Sequence, residues 1–176
     1  MQQPFTHLQI EQEALMELLT TYDSSSPDSI RSAQVIEICR IGTAVTQVRD
    51  EVIDPACVKL LDRKLHFEAM VELDLARVLI YELMNSGPST LLYDSLVTVL
   101  YRLLERRFRE EQSLDGLWSR LQKLDLTSVD LCAGERLAEL DRLGRQGEWT
   151  PLAPEGLETL RSSLPPGAAS WKGSQS

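Results

Sequence analysis

The sequence predicts an all-α protein, an up-down-up-down four-helix bundle with an additional C-terminal helix. Apolar residues recur every three or four positions along four segments, which is the spacing of one helical face. Short links rich in Ser, Pro, Asp and Gly separate these segments, and short links join antiparallel neighbours in bundles. Leu is frequent, whereas aromatic residues make up only 6% of the 176 residues, so long helices are favoured over a many-stranded sheet.

The first two helices are predicted near residues 8–22 and 27–53. In the first helix the inward face carries Leu8, Leu15, Leu19 and Tyr22. In the link that follows, Ser26 is predicted as the N-cap and Pro27 as the first residue of the next helix, where proline is well tolerated. The inward stripe of the second helix is Val35, Ile38, Gly42, Val45 and Val52.

A third helix is predicted for residues 56–85 and a fourth for residues 89–122. Pro55 disfavours the α conformation at Asp54, so the second helix is expected to end or kink there. Ser89 is predicted to cap the fourth helix. The third stripe is Leu61, Leu65, Ala69, Leu75 or Ala76, Leu79 and Leu83. The fourth stripe is Leu92, Leu96, Val99, Leu103, Leu114 and Leu117 or Trp118.

Three regions are therefore expected along the chain. Residues 1–123 form the bundle, and residues 124–163 add C-terminal helices that pack on it, chiefly a fifth helix at 128–143 capped by Thr127. Residues 164–176 contain Pro, Gly and Ser with little to bury, so disorder is expected there.

Composition excludes several classes of function. The net charge of −9 and the pI near 4.8 disfavour binding to nucleic acid and to anionic membrane surfaces. No apolar run approaches the roughly 18 residues of a membrane span. Three Cys without a CxxC pair favour a reducing, cytoplasmic location, and two His are too few for a metal centre built on several imidazoles.

Polar residues interrupt the apolar stripes at inward positions. Gln12, Arg49, Glu72, Arg107 and Glu111 each lie three or four residues from apolar members of their stripe, so their side chains are expected to point into the bundle. Buried charges must be paired, and two arginines with two glutamates sum to zero. The alternative is that these long side chains reach solvent from flanking positions.

These residues resemble the hemerythrin-like, HHE-type family of four-helix bundles. The resemblance rests on the order of the helices, on the run DEVIDPA at 50–56, and on RFREE at 107–111 leading to Leu117 and Trp118. It spans residues 8–118. The resemblance implies a bundle whose four helices supply His and Glu ligands to two irons, although Asp54 stands where the family has a Tyr before the proline.

Carried over position by position, the resemblance implies that the iron ligands have been replaced. Gln12 stands for the His of the first helix, Val45 and Arg49 for the His and Glu of the second, Glu72 for the His of the third, and Arg107 and Glu111 for the His and Glu of the fourth. Only Glu111 keeps its type. A guanidinium donates no electron pair to iron and stays protonated, so no metal and no cofactor is expected.

The function expected on this basis is non-catalytic: regulation or sensing through contacts with a protein partner or a second copy. One alternative is a metal-binding protein with oxygen-sensing, iron-sensing or redox function through Glu72, Glu111, Gln12 and His66. Another is a protein that holds an apolar ligand inside the bundle. The sequence identifies neither the partner nor the oligomeric state.

Overall fold

The computed structural model describes residues 6–58, 63–113, 116–121 and 125–148, and every regular element in these ranges is helical. The elements are α1 (Thr6–Thr20), α2 (Asp28–Val48), a π-turn (Arg49–Ile53), α3 (Asp54–Cys57), α4 (Arg63–Asn85), α5 (Tyr93–Gln112), α6 (Leu117–Leu121) and α7 (Thr127–Arg145). The all-α prediction is confirmed for this part of the chain. The tail predicted at 164–176 lies outside the described residues. None of the described helices has the length and apolarity needed to cross a bilayer.

Four long helices contact one another in a closed ring. α2 packs against α1 and α4, and α5 packs against α4 and α1. α7 lies on α1 and α2 and also reaches the π-turn. The ring encloses a core of aliphatic side chains that includes Leu8, Leu15, Ile38, Val45, Ile80, Leu100 and Leu104.

Of the two predicted outcomes before Pro55, an end or a kink, the end is corrected, because the helical path of α2 continues through a π-turn and Pro55 to Cys57. Asp54 keeps α conformation, with φ −63° and ψ −40°, and its N–H donates to Arg49 O, five residues earlier. This π-type bond widens the turn before Pro55, whose ring would clash with a carbonyl four residues back and which has no N–H to donate. The helix ends after Cys57, and Asp54 lies on the same side as Arg49, whose Nε and Nη2 donate to its carboxylate.

The inward face of α5 differs from the prediction by one residue. Tyr93, Val97, Leu100, Leu104 and Phe108 are buried, whereas Leu92 and Val99 are 68% and 49% exposed. Leu96 and Leu103 are partly buried against the core. On α4 the core takes Ala76 and leaves Leu75 exposed. Leu61, Leu65 and Leu114, also predicted to face inward, lie outside the described side chains.

The helix predicted at 89–122 is shorter at both ends, and α5 covers only Tyr93–Gln112. Turns at 87–92 precede α5, in which Thr90 N donates to Gly87 O and Tyr93 N donates to Thr90 O. Ser89 is therefore not the cap of α5. Ser113 is extended and ends α5. A Cβ at Gly116 would lie 2.3 Å from Glu110 O, so the absence of a side chain there lets the chain fold back closely into α6.

Two predicted helix starts are also corrected. Pro27, with ψ 148°, is the residue before α2, and Ser26 makes no capping bond there. Thr127 lies inside α7, and the carboxylate of Asp125 accepts hydrogen bonds from Thr127 N and Oγ1 at 3.3 and 2.9 Å. At the other end of α7, Gly147 has φ +70°, a conformation that glycine adopts without strain.

Candidate functional site

A cluster of buried polar side chains lies inside the ring. We call Gln12, Arg49, Asp54, Arg107 and Glu111 the Arg49 cluster. Gln12 comes from α1, Arg49 from the π-turn, and Asp54 from the first turn of α3. Arg107 and Glu111 come from the last two turns of α5. The cluster therefore joins three separate parts of the chain.

Arg49 lies at the centre of this cluster and is only 1% exposed. Its Nη1 donates to Glu111 Oε1, and its Nε and Nη2 donate to Asp54 Oδ1 at 3.2 and 3.0 Å. The guanidinium carbon also lies 5.8 Å from the ring centroid of Trp118, within cation–π distance. Two carboxylates and an aromatic face thus surround one buried cation.

Glu111 accepts hydrogen bonds from three side chains. Arg49 and Arg107 both donate to Oε1, and the Arg107 Nε distance is 3.1 Å. Gln12 Nε2 donates to Oε2 at 3.1 Å. Glu111 is 1% exposed, so its carboxylate has lost its hydrating water. The three donors compensate for that loss.

The charges of the cluster balance, and its central residue Arg49 stays protonated. Arg49 and Arg107 carry two positive charges, and Asp54 and Glu111 carry two negative charges. Burial lowers the pKa of Arg49, but Glu111 and Asp54 raise it, and the net result is a pKa above the ordinary value. Cys57, fully buried next to this cluster, has its pKa raised to about 11 by burial, with Arg49 lowering it in part.

The structure brings four of the six predicted site residues together and leaves two apart. Gln12, Arg49, Arg107 and Glu111 are in mutual contact through Glu111. Glu72 lies at the edge, with 17% of its side chain exposed, where it pairs with Arg106 and lies 3.8 Å from Arg107. Val45 is fully buried among apolar neighbours and offers no polar atom.

Asp54 and Trp118 belong to this site but were not predicted as members. The sequence marks Asp54 only as the residue before Pro55, where the helix is expected to end or kink. The apolar spacing gives no sign of the π-turn that brings Asp54 to Arg49. Trp118 reaches Arg49 because the chain folds back at Ser113.

This donor set does not fit an iron site. Both buried carboxylates are engaged by Arg49, Val45 has no donor atom, and a guanidinium cannot coordinate a cation. Within the described ranges, no three His, Cys, Asp or Glu side chains are grouped so that they could hold a metal ion.

A second polar cluster lies at the other end of α2. We call Tyr22, Asp28, Arg31 and Asp94 the Arg31 cluster. Arg31 Nη1 donates to both oxygens of Asp94 at 2.8 and 3.0 Å, and Nη2 donates to Asp28 Oδ1 at 2.6 Å and to Pro88 O at 2.9 Å. Tyr22 Oη donates to Asp94 Oδ1 at 2.6 Å. Burial and Asp94 raise the pKa of Tyr22, so this hydroxyl stays protonated.

No protein-family model, no curated protein and no solved structure matches the chain.

Proposed function

We propose that this protein is a hemerythrin-like, up-down-up-down four-helix bundle in which an arginine-centred ion-pair cluster replaces the di-iron site. Its function is regulation or sensing through contacts with a protein partner or a second copy, and it is not an enzyme. α1, α2, α4 and α5 correspond to the four helices of the bundle, and their closed ring of contacts supports this assignment. α7 is the additional C-terminal helix.

The observation that carries the proposal is the position of Arg49. Its guanidinium is buried between α1, α5 and the π-turn, at the height where the resemblance puts metal ligands on each helix. A cation in this position repels divalent metal ions. Glu111, the one carboxylate that matches the family pattern in type, is bonded to Arg49 and Arg107 and so is not free to coordinate a metal.

An exposed apolar stripe on α4 supports a role in protein contacts. Phe67, Val71 and Leu75 follow one another at four-residue spacing and are 51%, 46% and 42% exposed. Val99 on the neighbouring helix α5 is 49% exposed. Grouped exposed apolar side chains are typical of interaction surfaces, and α7 covers α1 and α2 rather than these two helices.

The metal content of the purified protein tests the loss of the iron site. After expression with added iron, we expect less than about 0.1 metal ion per chain, because the buried guanidinium opposes cation binding. Elemental analysis and the absorption spectrum measure this. Stoichiometric iron with a ligand-to-metal charge-transfer band would contradict the proposal.

Site-specific photo-crosslinking tests the contact surface. A photoreactive amino acid at Leu75 should give adducts of higher mass in cells, either with a second copy or with another protein. The same group at Ile36, which is 61% exposed on α2, is the matched control and should give few. Equal yields at the two positions, or none at either, would remove the support that the α4 stripe gives to the proposal.

A further inference from the structure

The exposed stripe on α4 carries opposite charges at its two ends. Lys64 lies before Phe67 on this helix, Glu82 lies after Leu75, and both charged residues are exposed. At about 100° of rotation per residue, these two residues and the apolar pair Val71 and Leu75 fall within about 40° of one another around the helix axis. Each charged residue lies seven positions from the nearer member of that pair, a spacing that keeps one face turned toward a partner helix. The four side chains therefore form one line on the solvent face of α4.

This line is symmetric about the height of Leu73, which is buried. Val71 and Leu75 lie two residues to either side of Leu73. Lys64 and Glu82 lie nine residues to either side of it. When two copies of one helix pack antiparallel about a two-fold axis, each residue opposes the residue at the same distance beyond the axis on the other copy. With the axis at this height, apolar side chains oppose apolar ones, and each Lys64 opposes Glu82 of the other copy.

The charges at the two ends also select the direction of packing. In a parallel pair, Lys64 would lie next to Lys64 of the second copy and Glu82 next to its Glu82, and these like charges would repel. Within one chain, Lys64 lies 3.8 Å from Glu68, and the two side chains are 83% and 55% exposed. So exposed a pair contributes little to stability. Lys64 can therefore turn toward a second copy at little cost.

The acidic side chains beside the centre of the line are already neutralised. Glu72 pairs with Arg106, and Asp74 pairs with Arg77 at 2.7 Å. A two-fold axis at this height brings each of these carboxylates near its own copy, where two unpaired negative charges would repel. The two arginines offset that repulsion. The face is also open within the described residues, because α7 lies on α1 and α2.

We propose that the partner of the α4 stripe is a second copy of this chain, and that α4 packs antiparallel on α4 with Val71 against Leu75 and Lys64 against Glu82. This inference rests on the proposed function, because it names the partner of the same surface. A line of eighteen residues is about 27 Å long, and one helix pair of this length buries less than the roughly 800 Å² per partner of a standard interface. The dimer is therefore reversible, with a dissociation constant on the order of 10–100 µM.

Sedimentation equilibrium of the full chain, from about 10 µM to 1 mM, tests the dimer and its contacts. Lys64→Glu and Glu82→Lys should each weaken dimerisation at least about tenfold, because each reversal makes both end contacts repulsive. Glu82→Lys also lowers the negative net charge of the chain, so general repulsion between acidic proteins predicts the opposite result. Glu17→Lys makes the same charge change at an exposed position of α1, which is not a neighbour of α4 in the ring. This matched control should not weaken the dimer.

Mixing the two reversed variants gives the decisive result. Neither Lys64→Glu nor Glu82→Lys should dimerise well alone, whereas an equimolar mixture should form a mixed dimer about as tight as the unmodified one. In that mixed dimer opposite charges face each other again at both ends. A misfolded variant could not produce this recovery.

Three outcomes would overturn the inference: no dimer up to about 1 mM, a loss for Glu17→Lys equal to that for Glu82→Lys, or no recovery in the mixture. The photo-crosslinking at Leu75 keeps the proposed function separate. A monomeric chain whose Leu75 position crosslinks to another protein would refute the second copy as partner and leave the proposed contact role standing. A monomeric chain without such adducts would contradict both.

Discussion

At the scale of single residues, Glu111 carries the largest structural role because three buried donors depend on it. Replacing Glu111 with Ala leaves Arg49 with Asp54 alone and leaves Gln12 Nε2 without its acceptor. We expect the free energy of unfolding to fall by about 3 kcal/mol or more, the cost of breaking a buried ion pair. Urea denaturation measures this change.

The neighbouring residue provides the matched control. Glu110 is exposed, and its ion pair with Arg107 is 3.8 Å long, so Glu110→Ala should change stability by less than about 0.5 kcal/mol. A double-mutant cycle between Arg49→Met and Glu111→Leu should show a coupling above about 1 kcal/mol. A coupling near zero would mean that the two side chains do not interact in the folded protein.

The three thiols are expected to differ in reactivity. Burial raises the pKa of Cys39 to about 12 and that of Cys57 to about 11, and only the thiolate reacts readily. Cys132 is exposed on α7. At about pH 8, Ellman's reagent should therefore modify one thiol per chain quickly and the other two only on unfolding. Cys132→Ser should remove the fast phase, and a fast phase that persists in this variant would contradict the burial of Cys39 or Cys57.

The sequence predicts which side chains point inward only where the neighbouring apolar residues define a single helical face. Gln12 and Arg49 could be placed inward because single apolar residues flank them at helical spacing. In α5 apolar residues come in adjacent pairs, namely Leu92 and Tyr93, Leu96 and Val97, Val99 and Leu100, and Leu103 and Leu104. Either member of each pair gives a continuous stripe, so hydrophobicity alone does not select the face, and packing against α4 and α1 decides it.

At the scale of elements, the number and order of the long helices could be predicted because the apolar spacing and the links rich in Ser, Pro, Asp and Gly are local signals. The π-turn could not, because it is stabilised by tertiary contacts. Arg77 of α4 donates to Thr46 O at 2.8 Å just before the turn, and the Arg49 cluster holds the residues within it. Such contacts between distant segments cannot be inferred from the apolar spacing within one helix.

The attachment of α7 should weaken in acid. Hydrogen bonds from Arg136 and Gln47 outweigh burial and lower the pKa of Glu51, and Arg145 and Arg40 lower that of Asp141. A carboxyl whose pKa is lower in the folded state contributes stability above its ordinary pKa, and this contribution is lost as the pH falls through the folded value. The melting temperature should therefore fall as the pH decreases below the ordinary values of 4.5 for Glu51 and 3.8 for Asp141.

Replacing Arg136 isolates the contribution of Glu51. In Arg136→Met the slope of melting temperature against pH in this acid range should be shallower, because Glu51 loses the arginine that lowers its pKa. Arg142→Met is the matched control on the same helix, since Arg142 is exposed and bonds only to Gln146 among the described contacts. Calorimetry at several pH values measures both slopes, and identical slopes in the two variants would show that the Arg136–Glu51 pair does not hold α7.

At the scale of the whole molecule, the two polar clusters fix the helices at opposite ends of the ring. The Arg49 cluster joins α1, the π-turn, α3 and α5, and the Arg31 cluster joins the link after α1, the start of α2 and the start of α5. Asp94 and Glu111 are 17 residues apart on α5, so they lie about 25 Å apart at the helical rise. The hydrogen bonds from Gln12 to Glu111 and from Tyr22 to Asp94, at these two distant points, oppose sliding of α1 relative to α5, which the apolar core alone would restrain less specifically.

This separation predicts that the two clusters contribute independently to stability. Asp94→Ala removes one acceptor from Tyr22 and Arg31, but Arg31 keeps Asp28 and Pro88 O, and 42% of the Asp94 side chain is exposed, so the cost should be only about 1–2 kcal/mol. The variant with both Asp94→Ala and Glu111→Ala should lose the sum of the two single costs to within about 0.5 kcal/mol, because neither cluster shares a partner with the other. Urea denaturation with unchanged m-values measures the three free energies. A deviation from additivity above about 1 kcal/mol would show that the two ends of the ring are energetically coupled through α5.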